Sequence, residues 1–417
     1  MPINFYAVLG PAILLIVVIE FIYCLYVKNG FYEFQDSMSS LGTAIINQCM
    51  NLFVAFLVLI PFTWIYQKAS FSHHEANWMT YTLGLIGVDF LFYWFHRMGH
   101  SINILWAAHM PHHSTEELNY AVGLRSSLTQ RLASFLFYWP MLLVGISPGL
   151  LTEIVALHLL YQFLGHTRVV PKLPSFIENI FNTPSHHRVH HGLNKQYINK
   201  NYAGMFIIWD KLFGTWEAEV EEVFYGCNRP SLTWDPTKIN IQWWVYLWND
   251  AVETPKVIDK IKVWFMPLGW RPPGVSPLEE RKQLTKETQV KFQTKAYKSS
   301  YAYIIIQLLI GMIFMFFVIG DKSPLSSLEK TIMALNFWMM ATVWGGFLES
   351  KKWSIPLELI RVITLPIFLL NIASKYDLQL WFLSTPFLIG VGIICSFYVL
   401  VIKFNNTSEN RSLATAF

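Results

Sequence analysis

Thirteen histidines occur in the chain, and eleven of them fall between His96 and His191. Three clusters hold most of these. The first is His96-Arg97-Met98-Gly99-His100 and the second is His109-Met110-Pro111-His112-His113. The third is Ser185-His186-His187-Arg188-Val189-His190-His191. On a helix, side chains i and i+4 share a face, so His96 with His100, and His109 with His113, can reach one metal. His112 points about 100° away from His113, an arrangement that suits two metals served by one helix. The third cluster repeats the HxxHH spacing at His187, His190 and His191. His166 stands alone at the end of an apolar run. Asp89 lies seven residues before His96, on nearly the same helical face. A carboxylate there can accept the second ring N–H of a ligating imidazole and fix its tautomer. His158 reads as a hydrogen-bonded packing residue, and His73 and His74 as loop residues.

Imidazole suits zinc, copper, iron and nickel. A structural zinc takes four ligands, whereas eight or nine imidazoles are available here, so the clusters predict at least two metals. HExxH, the zinc protease spacing, is absent. A transport pathway would spread ionisable groups over several spans near the bilayer midplane; these histidines gather at one membrane face. An all-nitrogen dinuclear site beside a lipid-facing chamber fits two iron ions that activate dioxygen. Iron would supply the redox chemistry, while the protein orients an alkyl or acyl chain and excludes water. The rival class is a metal-binding transporter or sensor without redox chemistry. Neither a CxxCH haem signature nor a nucleotide fingerprint is present, so electrons must come from an external reductant. Cys24, Cys49, Cys227 and Cys395 lie far apart, which predicts neither a thiolate metal site nor a disulfide framework.

The elements that position these clusters are read from composition. Hydrophobic residues make up 53% of the 417 and charged residues 14%, against roughly a quarter charged in a soluble domain. A helical span needs about 20 mostly apolar residues. Candidate spans are Tyr6–Val27, Ala44–Tyr66, Trp78–Phe95, Leu128–Ile146, Gly149–Gly165, Tyr301–Gly320, Thr331–Leu348, Ile355–Ala373 and Leu378–Ile402. The expected fold is therefore all-α and polytopic, with about nine spans, unless Leu128–Ile146 and Gly149–Gly165 form a re-entrant pair. His166 to Ser300 reads as one polar stretch. Ser350-Lys351-Lys352 and the tail with Lys403 and Arg411 fall on its side of the membrane, which the positive-inside rule makes cytoplasmic. The N-terminus is then outside and the histidine site at the cytoplasmic face. No signal peptide is evident. The compartment would be the endoplasmic reticulum in a eukaryote or the inner membrane in a bacterium. Three divisions are expected: a catalytic unit over 1–270 with its core at 85–216, a charged linker with an amphipathic helix over 271–300, and a four-span unit over 301–417. A net charge of +4, dispersed along the chain, gives no reason to expect a nucleic-acid partner.

The three boxes together resemble the fatty acid hydroxylase/sterol desaturase superfamily of membrane di-iron enzymes, over roughly Leu85 to Trp216. Asp89 to His100, Leu105-Trp106-Ala107-Ala108-His109, and His112-His113-Ser114-Thr115-Glu116 with Asn119 and Leu124-Arg125 are similar to the alkylglycerol monooxygenase family. So is Asn182-Thr183-Pro184-Ser185-His186-His187-Arg188-Val189-His190-His191-Gly192. Gly346-Phe347-Leu348-Glu349-Ser350 and Trp353 to Arg361 resemble that family's tail, which many shorter members lack.

The resemblance implies that His96, His100, His109, His112, His113, His187, His190 and His191 bind two iron ions. His166, in Gly165-His166-Thr167, matches a further histidine of the family. His186 is either a ligand or a partner of one, and Glu116 and Asn119, like Asp89, are expected to support ligands. No catalytic side chain beyond the metal ligands is expected. Arg97, Arg125 and Arg188 read equally as holders of a lipid headgroup or pterin and as interfacial residues with their charges in the headgroup layer. The implied reaction is O2-dependent and acts on a membrane lipid. It hydroxylates the alkyl carbon beside an ether oxygen, and the hemiacetal collapses to a fatty aldehyde and a glycerol derivative. Tetrahydrobiopterin is the implied electron donor. A sterol, fatty acid or carotenoid hydroxylase or desaturase carries the same boxes.

Overall fold

The computed structural model describes residues 5–227, 229–275, 285, 288–296, 298–320, 323–378, 380 and 383–414. Among them there is no β-strand, only isolated bridges such as Phe181 with Phe206. The chain divides into two compact units, residues 1–231 with 238–291, and residues 232–237 with 292–417.

In the first unit three long helices come first: α1 (Phe5–Val27), α2 (Phe34–Ala69) and α3 (Trp78–Gly99). Short helices follow: α4 (Asn103–Ala107), α5 (Met110–His113) and α6 (Tyr120–Gly123). Two apolar helices, α7 (Gln130–Leu143) and α8 (Pro148–Leu164), complete the scaffold. Polar residues set the starts. Glu33 accepts the Asp36 N–H at 2.7 Å to begin α2, and Asn77 accepts the Thr80 N–H at 3.0 Å to begin α3. Ser147 caps α8 with Pro148 in its first turn, where a missing N–H costs nothing.

The core lies between α2, α3, α7 and α8, with Val58, Val88, Phe92, Leu142 and Ile154 buried in it. Gly84 and Gly87 allow the close approach. A Cβ on Gly84 would lie 2.5 Å from Ile154 Cδ1, and one on Gly87 would lie 2.8 Å from Met141 Cε. Beyond α8 come α9 (Ser175–Glu178), α10 (Pro184–His190), a 3-10 turn at Lys195–Tyr197, α11 (Ile208–Leu212), α12 (Pro236–Glu253) and α13 (Val257–Phe265).

The stretch expected to be simply polar carries an apolar surface. Trp243, Leu247 and Ala251 of α12, with Val263 of α13, pack on Trp106 and Met110. The opposite side of α12 exposes Ile241, Val245, Trp248 and Val252, a stripe at i, i+4, i+7 and i+11. The linker helix expected around Glu279 to Lys282 lies outside the described residues. Lys291 pairs with Glu117, and Gln289 donates to the Tyr225 carbonyl at 2.6 Å, so this part of the expected linker packs on the first unit.

The second unit is a ring of four helices, α14 (Lys298–Ile319), α15 (Ser327–Leu348), α16 (Ser354–Lys375) and α17 (Thr385–Ala414). Each packs on its sequence neighbour, and α14 closes on α17. Ser326 and Glu329 form a reciprocal capping box at the start of α15. Inside, Arg361 donates to Glu358 at 2.5 and 2.7 Å, and Tyr303 and Gln307 bind the same pair. Thr233 and Trp234 bind the Glu349 carboxylate at 2.5 and 2.7 Å, which ties residues 232–237 to this unit.

Among the described residues, four helical stretches are long and apolar enough to cross a membrane: Gly10–Val27, Lys298–Val318, Ser327–Leu348 and Ser354–Lys375. The two hairpin helices are shorter. The 14 residues of α7 extend only about 21 Å at ~1.5 Å per residue, against a hydrocarbon core of about 30 Å.

Candidate metal centre

Each histidine cluster sits where a helix ends. His96 is in the last turn of α3 and His100 is its C-cap. His109 precedes α5, which carries His112 and His113. His166 follows α8 directly, and α10 carries His187 and His190 with His191 as its C-cap. Packing of α3, α5, α8 and α10 brings all nine together in two groups. His96, His100, His109, His113 and His190 form one; His112, His166, His187 and His191 form the other. Within each group the ligand nitrogens lie within 4.8 Å of one another. The i, i+4 pairs therefore share a group, and His112 leaves its neighbours for the second one. The groups adjoin, with the His113 and His191 rings stacked at 4.3 Å.

Tautomers follow from the backbone. A carbonyl can only accept, so a ring nitrogen beside one must donate. His96 Nδ1 donates to the Tyr202 carbonyl at 2.7 Å, and His190 Nδ1 to that of Lys200 at 3.0 Å. His112 Nδ1 donates to the Arg125 carbonyl at 2.9 Å, and His166 Nδ1 to that of Gln162 at 3.0 Å. Burial pushes these imidazoles towards the neutral form, His112 down to about 4 and His190 to about 3. In neutral rings with Nδ1–H, Nε2 carries only a lone pair. Yet His112 Nε2 and His166 Nε2 face each other at 3.2 Å. Two lone pairs with no proton between them repel at that distance, and a shared cation reverses the sign. His100 Nε2 is buried and has no hydrogen-bond partner.

Spacing also bears on the coordination. Two nitrogens each about 2.1 Å from one ion are about 3.0 Å apart at a right angle and about 3.4 Å apart at the tetrahedral angle. The observed contacts are 3.0 Å for His96–His109 and His109–His113, 2.9 Å for His166–His187 and 3.1 Å for His187–His191. His112–His166 and His113–His190, both at 3.2 Å, fall between the two values, so the spacing is compatible with a shared ion in each group. The donor set thus fits two cations.

The other residues singled out in the sequence lie elsewhere. His186 belongs to neither group. Its Nδ1 accepts from the Thr183 N–H at 3.3 Å, and its Nε2 lies 3.4 Å from the Glu178 carboxylate. Asn119 caps α6 and donates to the Phe31 carbonyl at 2.8 Å. Glu116 is half-buried and lies in the charge field of Arg125. Asp89 does meet an imidazole, that of His158 at 2.7 Å, which is in neither group. Arg125 is committed to Asp36 and Ser39, and Arg188 to Glu219 and the carbonyls of Thr167 and Val170. Arg97 donates to Tyr93. The carbonyls of Tyr202, Lys200, Arg125 and Gln162 have no side-chain signature that a sequence could carry. Trp106 packs against the rings of His100 and His113 at 5.1 and 5.8 Å.

A helical scaffold with helices apolar enough to span a membrane, and two buried imidazole groups able to hold metal, is the arrangement of a membrane protein with a candidate metal centre. Residues 81–215 match the fatty acid hydroxylase family, and the chain belongs to that family. It is similar to alkylglycerol monooxygenase of Homo sapiens, 34% identical over 78% of this chain and 73% of that one. The Xenopus tropicalis and Danio rerio enzymes of the same name are 35% and 33% identical, over 76% and 79% of this chain and 71% and 74% of their own length. A more partial match is the ornithine lipid hydroxylase of Rhizobium tropici, 30% identical over 40% of this chain and 50% of its own. No solved structure matches significantly. The family is enzymatic, and the chain is an oxidoreductase with histidine groups able to bind metal.

Proposed function

We propose that the chain is a di-iron monooxygenase that cleaves the O-alkyl bond of an alkylglycerol lipid at the cytoplasmic face of a membrane. The carrying observation is the pair of adjoining imidazole groups, five and four, in a chain similar over most of its length to alkylglycerol monooxygenases. His96, His100, His109, His113 and His190 would hold one iron, and His112, His166, His187 and His191 the other. Iron, when bound, supplies the redox chemistry that activates dioxygen.

The chain's own groups fix the ligands. Four backbone carbonyls hold imidazole tautomers with Nε2 free, and Trp106 covers the rings of His100 and His113. In the overall reaction one oxygen atom enters the C–H bond beside the ether oxygen. The other leaves as water, with two electrons and two protons taken up. Tetrahydrobiopterin, a two-electron donor, would provide the electrons. The hemiacetal then breaks its C–O bond. Its hydroxyl proton passes to the departing glycerol oxygen, leaving a fatty aldehyde and a glycerol derivative.

The test is mass spectrometry of lipids after incubation of purified protein with 1-O-alkylglycerol, with and without reduced pterin, alongside metal analysis. Fatty aldehyde formed only with the pterin, and iron near two per chain, support the reading. A hydroxylated or desaturated fatty acid or sterol with the ether lipid untouched assigns a different substrate. One zinc per chain without oxygen uptake overturns the redox chemistry.

A further inference from the structure

Four of the nine imidazoles are oriented by backbone carbonyls; the Gln162 carbonyl belongs to α8, but those of Tyr202, Lys200 and Arg125 lie on irregular segments that helix packing alone does not fix. The Tyr202 and Lys200 carbonyls, which hold His96 and His190, belong to the segment between the 3-10 turn and α11. Asn199 and Asn201 have φ of 62° and 54° there, so the segment has no repeating hydrogen-bond ladder. Two buried carboxylates hold it instead. Asp210 accepts the Tyr202 and Ala203 N–H groups, both at 2.8 Å, and the Thr215 hydroxyl at 2.6 Å. Asp89 accepts the Met205 N–H at 2.6 Å, the Phe206 N–H at 2.9 Å, the Trp209 indole N–H at 2.9 Å and His158 Nε2 at 2.7 Å. Asp89 and His158 are fully buried.

The second group has a separate support. The Arg125 carbonyl holds His112, and the Arg125 side chain is buried against Asp36 at 3.2 Å and Ser39 at 3.0 Å. Asp36 also accepts the Thr115 hydroxyl at 2.6 Å, three residues beyond His112.

We propose that Asp89 is a positioning residue for the five-histidine group and Asp36 for the four-histidine group, each acting through backbone carbonyls rather than by touching a ligand. The proposal rests on the di-metal reading above. It carries a selectivity that general stabilisation would not produce. Each Asp89 oxygen receives two donors, so Asn in either flip sets an NH2 against two groups that also donate. The Met205 to Trp209 segment then shifts, and with it the Tyr202 carbonyl. The network meets the second group through Gln162, whose side chain lies 2.9 Å from His158 Nδ1 and whose carbonyl holds His166. That carbonyl is fixed by the α8 backbone rather than by the Gln162 side chain, so the disturbance from Asp89→Asn falls first on the Tyr202 carbonyl.

The experiment compares wild type, Asp89→Asn and Asp36→Asn, each loaded with 57Fe. Iron per folded chain is titrated at limiting metal, Mössbauer spectra are recorded, and melting temperature is measured alongside. Wild type binding two irons per chain checks the di-iron reading independently of either variant. Asp89→Asn is expected to weaken one site about 10–100-fold, the usual cost of losing a ligand's supporting partner, and to remove one spectral component. Asp36→Asn should remove the other. Loss of the same component in both variants, equal loss of both components, or unchanged affinity at both sites overturns the proposal. If Asp89→Asn does not fold, Trp209→Phe removes one of the four donors and leaves the carboxylate paired. It should weaken the same single site to a smaller extent, and equal weakening of both sites, or of neither, overturns the proposal.

Discussion

At the scale of single residues, the site depends on neutral imidazoles whose lone pairs converge. Each contributes a nitrogen that no neighbouring side chain can replace. Replacing His190 with Ala removes a ligand nitrogen that lies 3.2 Å from His113 Nε2, together with the anchor on the Lys200 carbonyl. The variant should lose at least the ~100-fold in metal affinity that removal of a mere supporting partner can reach, with turnover lost in parallel. His73 packs edge-on against Tyr66 in a separate loop, so His73→Ala should keep wild-type iron and turnover. Metal analysis and product formation on both purified variants check the contrast. Equal iron in the two would remove His190 from the ligand set.

At the scale of elements, close backbone approach matters as much as side-chain chemistry. The motif resembling the family's tail, Gly346-Phe347-Leu348-Glu349-Ser350, ends α15 where the chain must accept another segment. Glu349 takes the Thr233 hydroxyl and the Trp234 N–H. Gly345 faces backbone, and a Cβ there would lie 2.3 Å from Asp235 Cα and 2.7 Å from Asp235 N. Backbone cannot swing aside as a flexible side chain can. Gly345→Ala should destabilise the four-helix unit by about 1–3 kcal/mol, the range for overpacking a tight contact. Thermal unfolding of the detergent-solubilised protein, compared with Gly390→Ala, where a Cβ meets open space, gives the measurement. Equal melting temperatures would show that the contact yields without cost.

At the scale of the whole molecule, the central question is which side of the membrane the histidines face. The proposed orientation, read from charge in the short loops, has the polar stretch, the Lys351-Lys352 turn and the tail together on the cytoplasmic side. Three N-glycosylation sequons begin at Asn405, Asn406 and Asn410. On that orientation none is modified when the protein is made in a eukaryotic host. A mobility shift removed both by glycosidase and by replacing all three asparagines would reverse the tail.

Local periodicity carried much of the site in the sequence. The i, i+4 spacing pairs His96 with His100 and His109 with His113 in one group, and it turns His112 away from both, because helical geometry is set by the residues between. Apolar length marked the long helices in the same way. The α12 stripe escaped because it recurs every three or four residues instead of forming a continuous run, so window averages read it as polar. Tertiary structure alone decided that His190 joins the first group while His187 and His191 join the second. It also decided that Asp89 grips the Met205 and Phe206 N–H groups, the Trp209 indole and His158, and that His186 turns to Thr183 and Glu178. These outcomes depend on carbonyls and N–H groups that every residue possesses. A pattern of side chains cannot specify which of them the packing of distant helices brings within hydrogen-bond reach.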